Sequence, residues 1–183
     1  MDSSSIMDLA SICLIMFALT GMIDGSYWHL MKLKLHTVPE SRYEHYTHTV
    51  RMLVFPFILF FLYTSNYGGI FLWAGIVAVI IDLGAMMADL LAENDSRKRW
   101  NGLPKWEYYI HVIANGFHFA SLALVFASKP IEAYSLSADK IITPGYSDFT
   151  FWIAWIFMPG AIINGIVHLW LCQKKYVIHK TSS

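Results

Sequence analysis

The sequence predicts an all-α membrane protein of about five transmembrane helices in one bundle, and three observations carry that expectation. Of 183 residues, 56% are hydrophobic and only 14% charged, and the mean hydropathy is positive, which is too apolar for an ordinary water-soluble domain. Five separate windows hold the roughly 20 mainly apolar residues that a helix needs to cross a hydrocarbon core. The basic residues fall in short blocks between these windows and form no stripe with interleaved aromatics, so nucleic acid is excluded as a partner.

The windows are taken in chain order as one transmembrane domain, 1–183. The first, 6–30, follows the polar start Met1-Asp-Ser-Ser-Ser5 and continues without an Ala-x-Ala-type cleavage site, so it reads as an uncleaved helix. The second, 49–66, is short and contains Pro56, which is tolerated in membrane helices as a kink. Ser65-Asn-Tyr-Gly-Gly69 is a tight turn into the third window, 69–92. Leu103-Pro-Lys-Trp-Glu107 is a helix start, with proline in the first turn and an acid favoured by the dipole, and leads into 107–128. An outer loop, 129–148, precedes the last window, 149–172.

Eleven of the thirteen Lys and Arg residues flank one side of this topology, with only Lys129 and Lys140 opposite. The positive-inside rule therefore expects the N-terminus outside and the C-terminus cytoplasmic, in a bacterial-type inner (plasma) membrane. Trp28, Trp100, Trp106 and Trp170 mark the cytoplasmic interface as an aromatic belt. The run Asp95-Ser-Arg-Lys-Arg99 carries both charge signs and reads as a solvated loop touching headgroups. Cys13 and Cys172 sit in apolar stretches at opposite ends of the bundle, unsuited to a disulfide or to a metal-binding pair, and read as packing residues.

The chemistry gathers at the cytoplasmic end. All eight histidines, His29, His36, His45, His48, His111, His118, His168 and His179, fall in that half although five segments supply them. In the third helix Asp82, Asp89 and Glu93 are seven and four residues apart, which places them within about 40° of one another on one face. In the fourth, Glu107, His111 and His118 repeat that spacing, beside Asn115. If these helices form a hairpin, counting inward from their loop pairs Glu93 with Glu107, Asp89 with His111 and Asp82 with His118. The last rung would lie roughly 16 Å deep. Asp24 and His29, Glu44, His45 and His48, and Asn164 with His168 reach similar depths from the other helices.

Ionisable groups inside a span cost about 2.5–3.5 kcal/mol each on insertion scales, so several on facing stripes point to function. Imidazole and carboxylate are the ligands of iron, manganese, copper and zinc. The candidate metal ligands are therefore Asp24, His29, His45, His48, Asp82, Asp89, Glu107, His111, His118 and His168. His36, in a basic loop, reads equally as a site residue or as solvated, and His179, in the tail, is expected to be solvated. In chemical character the cluster resembles membrane-bound non-haem iron hydroxylases and desaturases. Their His-x-x-x-His and His-x-x-His-His boxes are nevertheless absent, and His45-Tyr-Thr-His48 is the nearest local feature.

The leading expectation is a metal-dependent membrane oxidoreductase, with iron and two-iron nuclearity foremost, acting on a membrane lipid or lipid-soluble substrate. A metal-ion or proton carrier using Asp82, Asp89, His111 and His118 is the first alternative. A haem-binding electron-transfer subunit is the second, with copper a further alternative for the metal. A partner membrane subunit or a homo-oligomer is compatible with each.

Overall fold

A computed structural model describes residues 2–142 and 146–173. Five long helices dominate: α1 (Ser3–Gly21), α2 (Arg42–Ile58), α3 (Gly69–Ser96), α4 (Lys105–Ser128) and α5 (Asp148–Cys172). With their flanking turns all five are long and apolar enough to cross a membrane, consistent with a membrane protein. Their outward faces carry Ile12, Ile80, Leu91, Trp152 and Ile166, the kind of surface that lipid would cover.

Local signals set the helix ends. Asp2 caps α1 by accepting the Ser5 N–H at 2.9 Å, and the Ser147 hydroxyl accepts the Thr150 N–H at the start of α5. Gly69 opens α3 at φ +55, where a Cβ would also meet the Ala138 carbonyl at 2.6 Å, so both conformation and space require glycine. Pro56 has no N–H to give the carbonyl four residues back, that of Met52. Gly165 of α5 approaches that carbonyl so closely that a Cβ would stand 3.0 Å from it, which draws α5 onto α2. Beyond Pro56, α2 widens into a π-helical turn, Leu59–Tyr63.

α1 continues as a π-helix over Met22–Lys32. This winding hydrogen-bonds each N–H five residues back and so brings residues five apart towards one side. Asp24 and His29 are such a pair, with Asp24 Oδ1 and His29 Nε2 at 3.5 Å. The short 3₁₀ turns Leu35–Thr37 and Pro39–Ser41 lead on to α2.

The helices do not form the hairpin anticipated for α3 and α4. α1 packs along α4, and α2 packs along both α3 and α5, while α3 and α4 do not pack along their lengths. The connection Arg97–Pro104, which includes the 3₁₀ turn Lys98–Trp100 and left-handed Asn101 and Gly102, spans between them. At the end away from the basic loops, the core is closed by Leu14, Ile58, Leu59, Leu62, Leu72, Leu122 and Val125, each almost fully buried. Hydroxyls join the helices there: Tyr63 to Ser121 at 2.6 Å, Ser121 to the Ala10 carbonyl, and Ser11 to Thr150.

Candidate metal centre

At the basic end, ionisable side chains from α2, α3, α4, the π-helical extension of α1 and the turn after α3 point inward, and they divide into a clamp, a deep triad and a cavity-facing set. The clamp is built on Arg97, whose side chain is wholly buried. Its Nε donates to both oxygens of Glu107 at 3.0 and 3.2 Å, and its two terminal nitrogens donate to Glu44 at 2.6 and 3.0 Å. One of these also meets Glu107, while His29 Nε2 lies 3.0 Å from it and Ser96 completes the set. Burial by itself would lower the guanidinium pKa, but the hydrogen bonds and charges of Glu107 and Glu44 outweigh it and raise the pKa above its ordinary value. One cation thus ties α2 to α4 and to the π-helical extension of α1. The expectation of a solvated loop holds for exposed Asp95, Lys98 and Arg99 and fails for Arg97. The missed signal was that Glu44 and Glu107, one turn from His48 and His111, needed a counter-ion.

The deep triad is Asp82 with His118 at 2.8 Å and Arg51 at 3.2 Å. Phe17 packs on the His118 ring with centroids 4.4 Å apart. The Asp82–His118 rung expected from spacing is therefore present across the gap between α3 and α4. The two other rungs are replaced. Asp89 faces α2, accepting from Thr47 at 2.6 Å with His48 Nε2 at 3.1 Å. His111 stands between Glu93 and Asp24, with each carboxylate 2.8 Å from a ring nitrogen. Because α3 lies on α2 and α4 on α1, Asp89 turns to α2 and His111 also meets Asp24, while Glu93–His111 and Asp82–His118 still bridge α3 and α4.

Asp24, His48, Asp89, Glu93 and His111 border a cavity of about 460 Å³ between the helices, whose remaining wall includes Phe17, Met52, Phe55, Met86 and Phe157. Asn115, Asn164 and His168 also reach it. The contacts of His48 and His111 differ in kind from those of His118. The Asp82–His118 pair is an aligned hydrogen bond. Neither nitrogen of His111 and not Nε2 of His48 has an aligned partner among the described residues, despite carboxylate oxygens 2.8–3.1 Å away. Two ligands about 2.1 Å from a shared ion, at tetrahedral or octahedral angles, stand about 3.0–3.4 Å apart and point at the ion instead of at each other. The 3.1 Å approach of His48 to Asp89 falls in that range, while the two 2.8 Å approaches of His111 are shorter and use opposite ring nitrogens, so Asp24 and Glu93 cannot both share one ion with it.

Two groups offer ligand atoms that all lie within 4.8 Å of one another: Asp24, His29, Glu107 and His111, and His29, Glu44 and His48. Arg97 already compensates Glu44 and Glu107, which leaves Asp24, Asp89 and Glu93 as the carboxylates with only imidazoles at direct ion-pair distance.

Two further expected ligands meet at the α2–α5 seam, where His168 also borders the cavity. His45 and His168 stack on each other at the α2–α5 seam, and His36 is half-buried beside His45. His179 lies outside the described residues. Comparison with protein families, with curated proteins and with solved structures finds no match for this chain.

Proposed function

We propose that this chain is a metal-dependent integral membrane enzyme whose centre is held by Asp24, His48, Asp89, Glu93 and His111, with His29 adjoining. The observation that carries the reading is the pair of buried imidazoles, His48 and His111, each within 3.1 Å of carboxylates without hydrogen-bond alignment, on the wall of a cavity. Mixed imidazole and carboxylate donors suit iron, manganese and zinc. Iron in such a site supplies oxygen activation, which side chains lack, and the reaction class tested first is oxidation. Asp82 and Arg51 fix the deep wall, and Arg97 keeps Glu44 and Glu107 from competing for the ion.

The substrate is lipid-soluble, because the cavity's remaining wall is mostly apolar, with Phe17, Phe55, Met86 and Phe157 beside Leu90 and Ile156, on helices whose outer faces would meet lipid. The positive-inside rule sets this end towards the cytoplasm of an inner membrane. A continuous ion path is less well supported, since the half beyond Asp82 and His118 is packed with leucines and its hydroxyls are engaged with one another and with backbone carbonyls.

The test is elemental analysis with an optical spectrum on detergent-purified full chain. Wild type is expected to carry one to two equivalents of a transition metal, and both Asp24→Asn/His111→Ala and His48→Ala/Asp89→Asn to lose most of it while remaining helical by circular dichroism. Wild-type protein that neither retains nor takes up iron, manganese or zinc would overturn the reading.

A further inference from the structure

The central cavity is open on one side. Leu19, Met22, Ile156, Gly160, Ile163 and Val167 all border it and are themselves exposed. A residue that lines a cavity and is also exposed stands at the rim of an opening. Apart from Leu90 of α3, the exposed residues of this wall fall on α1, its π-helical extension and α5, and none carries a polar side chain.

The helix packing accounts for the opening. Ser11 donates to Thr150 at 2.8 Å and Thr150 donates to the Met7 carbonyl at 3.0 Å, which ties α1 to α5 at the end away from the basic loops. From there α1 follows α4 and α5 follows α2, and the π-helical extension of α1 does not pack along α5. Two helices joined at one end and led apart by different partners leave a slit between them. Ile156, Gly160, Ile163 and Val167 are four, three and four residues apart, so they share one face of α5. From first to last they cover about 16 Å of helix. Half of a hydrocarbon core is about 15 Å thick, so the slit is about as long as the chains of one leaflet. Gly21, Gly25 and Gly160 border the cavity with no atom within 4 Å of the place where a Cβ would stand, which leaves open space in front of their backbone. At the cavity's polar end, Asp24 Oδ1 and both ring nitrogens of His111 are buried without an aligned partner among the described residues. An apolar opening that leads to a few unsatisfied polar groups has the layout of a ligand site.

We infer that the slit between α1 and α5 admits one acyl chain of a membrane lipid, sideways from the leaflet at the basic end. The chain lies along α5 from Ile156 to Val167, with the polar end of the lipid towards Asp24 and His111. On the reading that the centre acts on a lipid-soluble substrate, that substrate is a chain-bearing lipid that reaches the centre without crossing water, so its hydrocarbon passes from one apolar medium to another.

The experiment places the full chain in phosphatidylcholine nanodiscs doped with phosphatidylcholine that carries a photoactivatable diazirine in one acyl chain. Labelled residues are located by peptide mass spectrometry after illumination. Wild type is expected to be labelled at Met86, which lines the cavity and is buried, as well as at Ile80 and Leu91, which face outward. Gly21→Phe/Gly160→Phe should fill the slit and abolish labelling of Met86 while Ile80 and Leu91 keep theirs. Gly84→Phe/Gly116→Phe, at glycines equally free of neighbours but away from the cavity, should change neither. Unlabelled Met86 in wild type, or labelling of Met86 that persists in Gly21→Phe/Gly160→Phe, overturns the inference. So does labelling that is lost instead in Leu90→Trp, which would place the opening on α3. If the double variant does not fold, Gly160→Leu takes its place. Labelling should survive chelator treatment, and the slit variant should keep the metal content of wild type, so failure of the metal centre and failure of the slit are read separately.

Discussion

The two ends of the bundle are held together by different forces. At the end away from the basic loops, Leu14, Ile58, Leu62, Leu72, Leu122 and Val125 interlock, and short hydroxyl side chains join the helices where they touch. At the basic end α3 and α4 stand apart, and Arg97, Glu44, Glu107, His29 and the cavity-facing acids reach across the space. Apolar packing brings helices as close as their side chains permit, whereas ion pairs of long side chains act as struts. A cavity beside a charged network follows from that difference.

Breaking the strut should have the largest effect on stability. Arg97→Met leaves Glu44 and Glu107 buried without their cation, a loss expected to cost about 3–5 kcal/mol. It should appear as a marked fall in the thermal midpoint in detergent, with Arg97→Lys intermediate because an ammonium cannot reproduce the forked contacts. A wild-type midpoint for Arg97→Met would show that the clamp does not stabilise the fold.

The apolar end is probed by Leu62→Ala, which opens a cavity among fully buried neighbours and should cost about 2–5 kcal/mol. Unlike the metal-ligand variants, it should leave the metal content of the folded fraction unchanged. Metal loss in step with Leu62→Ala would mean that the two ends do not act independently.

The smallest effect concerns Lys129, just beyond α4, whose ammonium donates to Asn66 at 2.9 Å. Burial lowers its pKa from 10.5 to about 8. Between those values the unfolded chain binds more protons than the folded one, so this residue makes stability rise with pH from about 8 to 10.5. The difference between wild type and Lys129→Met should therefore shift in favour of wild type over that window. A difference independent of pH would show that the lysine is hydrated in the folded protein.

The sequence made the helices and one part of the site legible, for separable reasons. Hydropathy over about 20 residues reports burial in any apolar medium, so the five windows were found whichever helices went on to pair. The Asp82–His118 contact was also legible, because seven-residue spacing keeps residues on one face and the pair lies far from the ends, where register errors are small. The partners of Asp89 and His111 were not, because a short loop fixes that α3 and α4 are consecutive but not that they pack. Arg97 was missed because charge runs are usually solvated, and only its position against Glu44 and Glu107 distinguishes it from exposed Lys98 and Arg99. Asp24 and His29 were expected at similar depth at the end of the first helix, and it is the π-winding that brings them to one side.

That winding makes chain length, and not only side-chain identity, a determinant of the centre. Five residues of ordinary α-helix turn Asp24 and His29 about 140° apart. Deleting one residue between them while restoring α-winding would return the pair to a four-residue spacing on one face. The segment therefore works as a phase adjuster, taking up a residue that would otherwise set the first helix out of step with the other four.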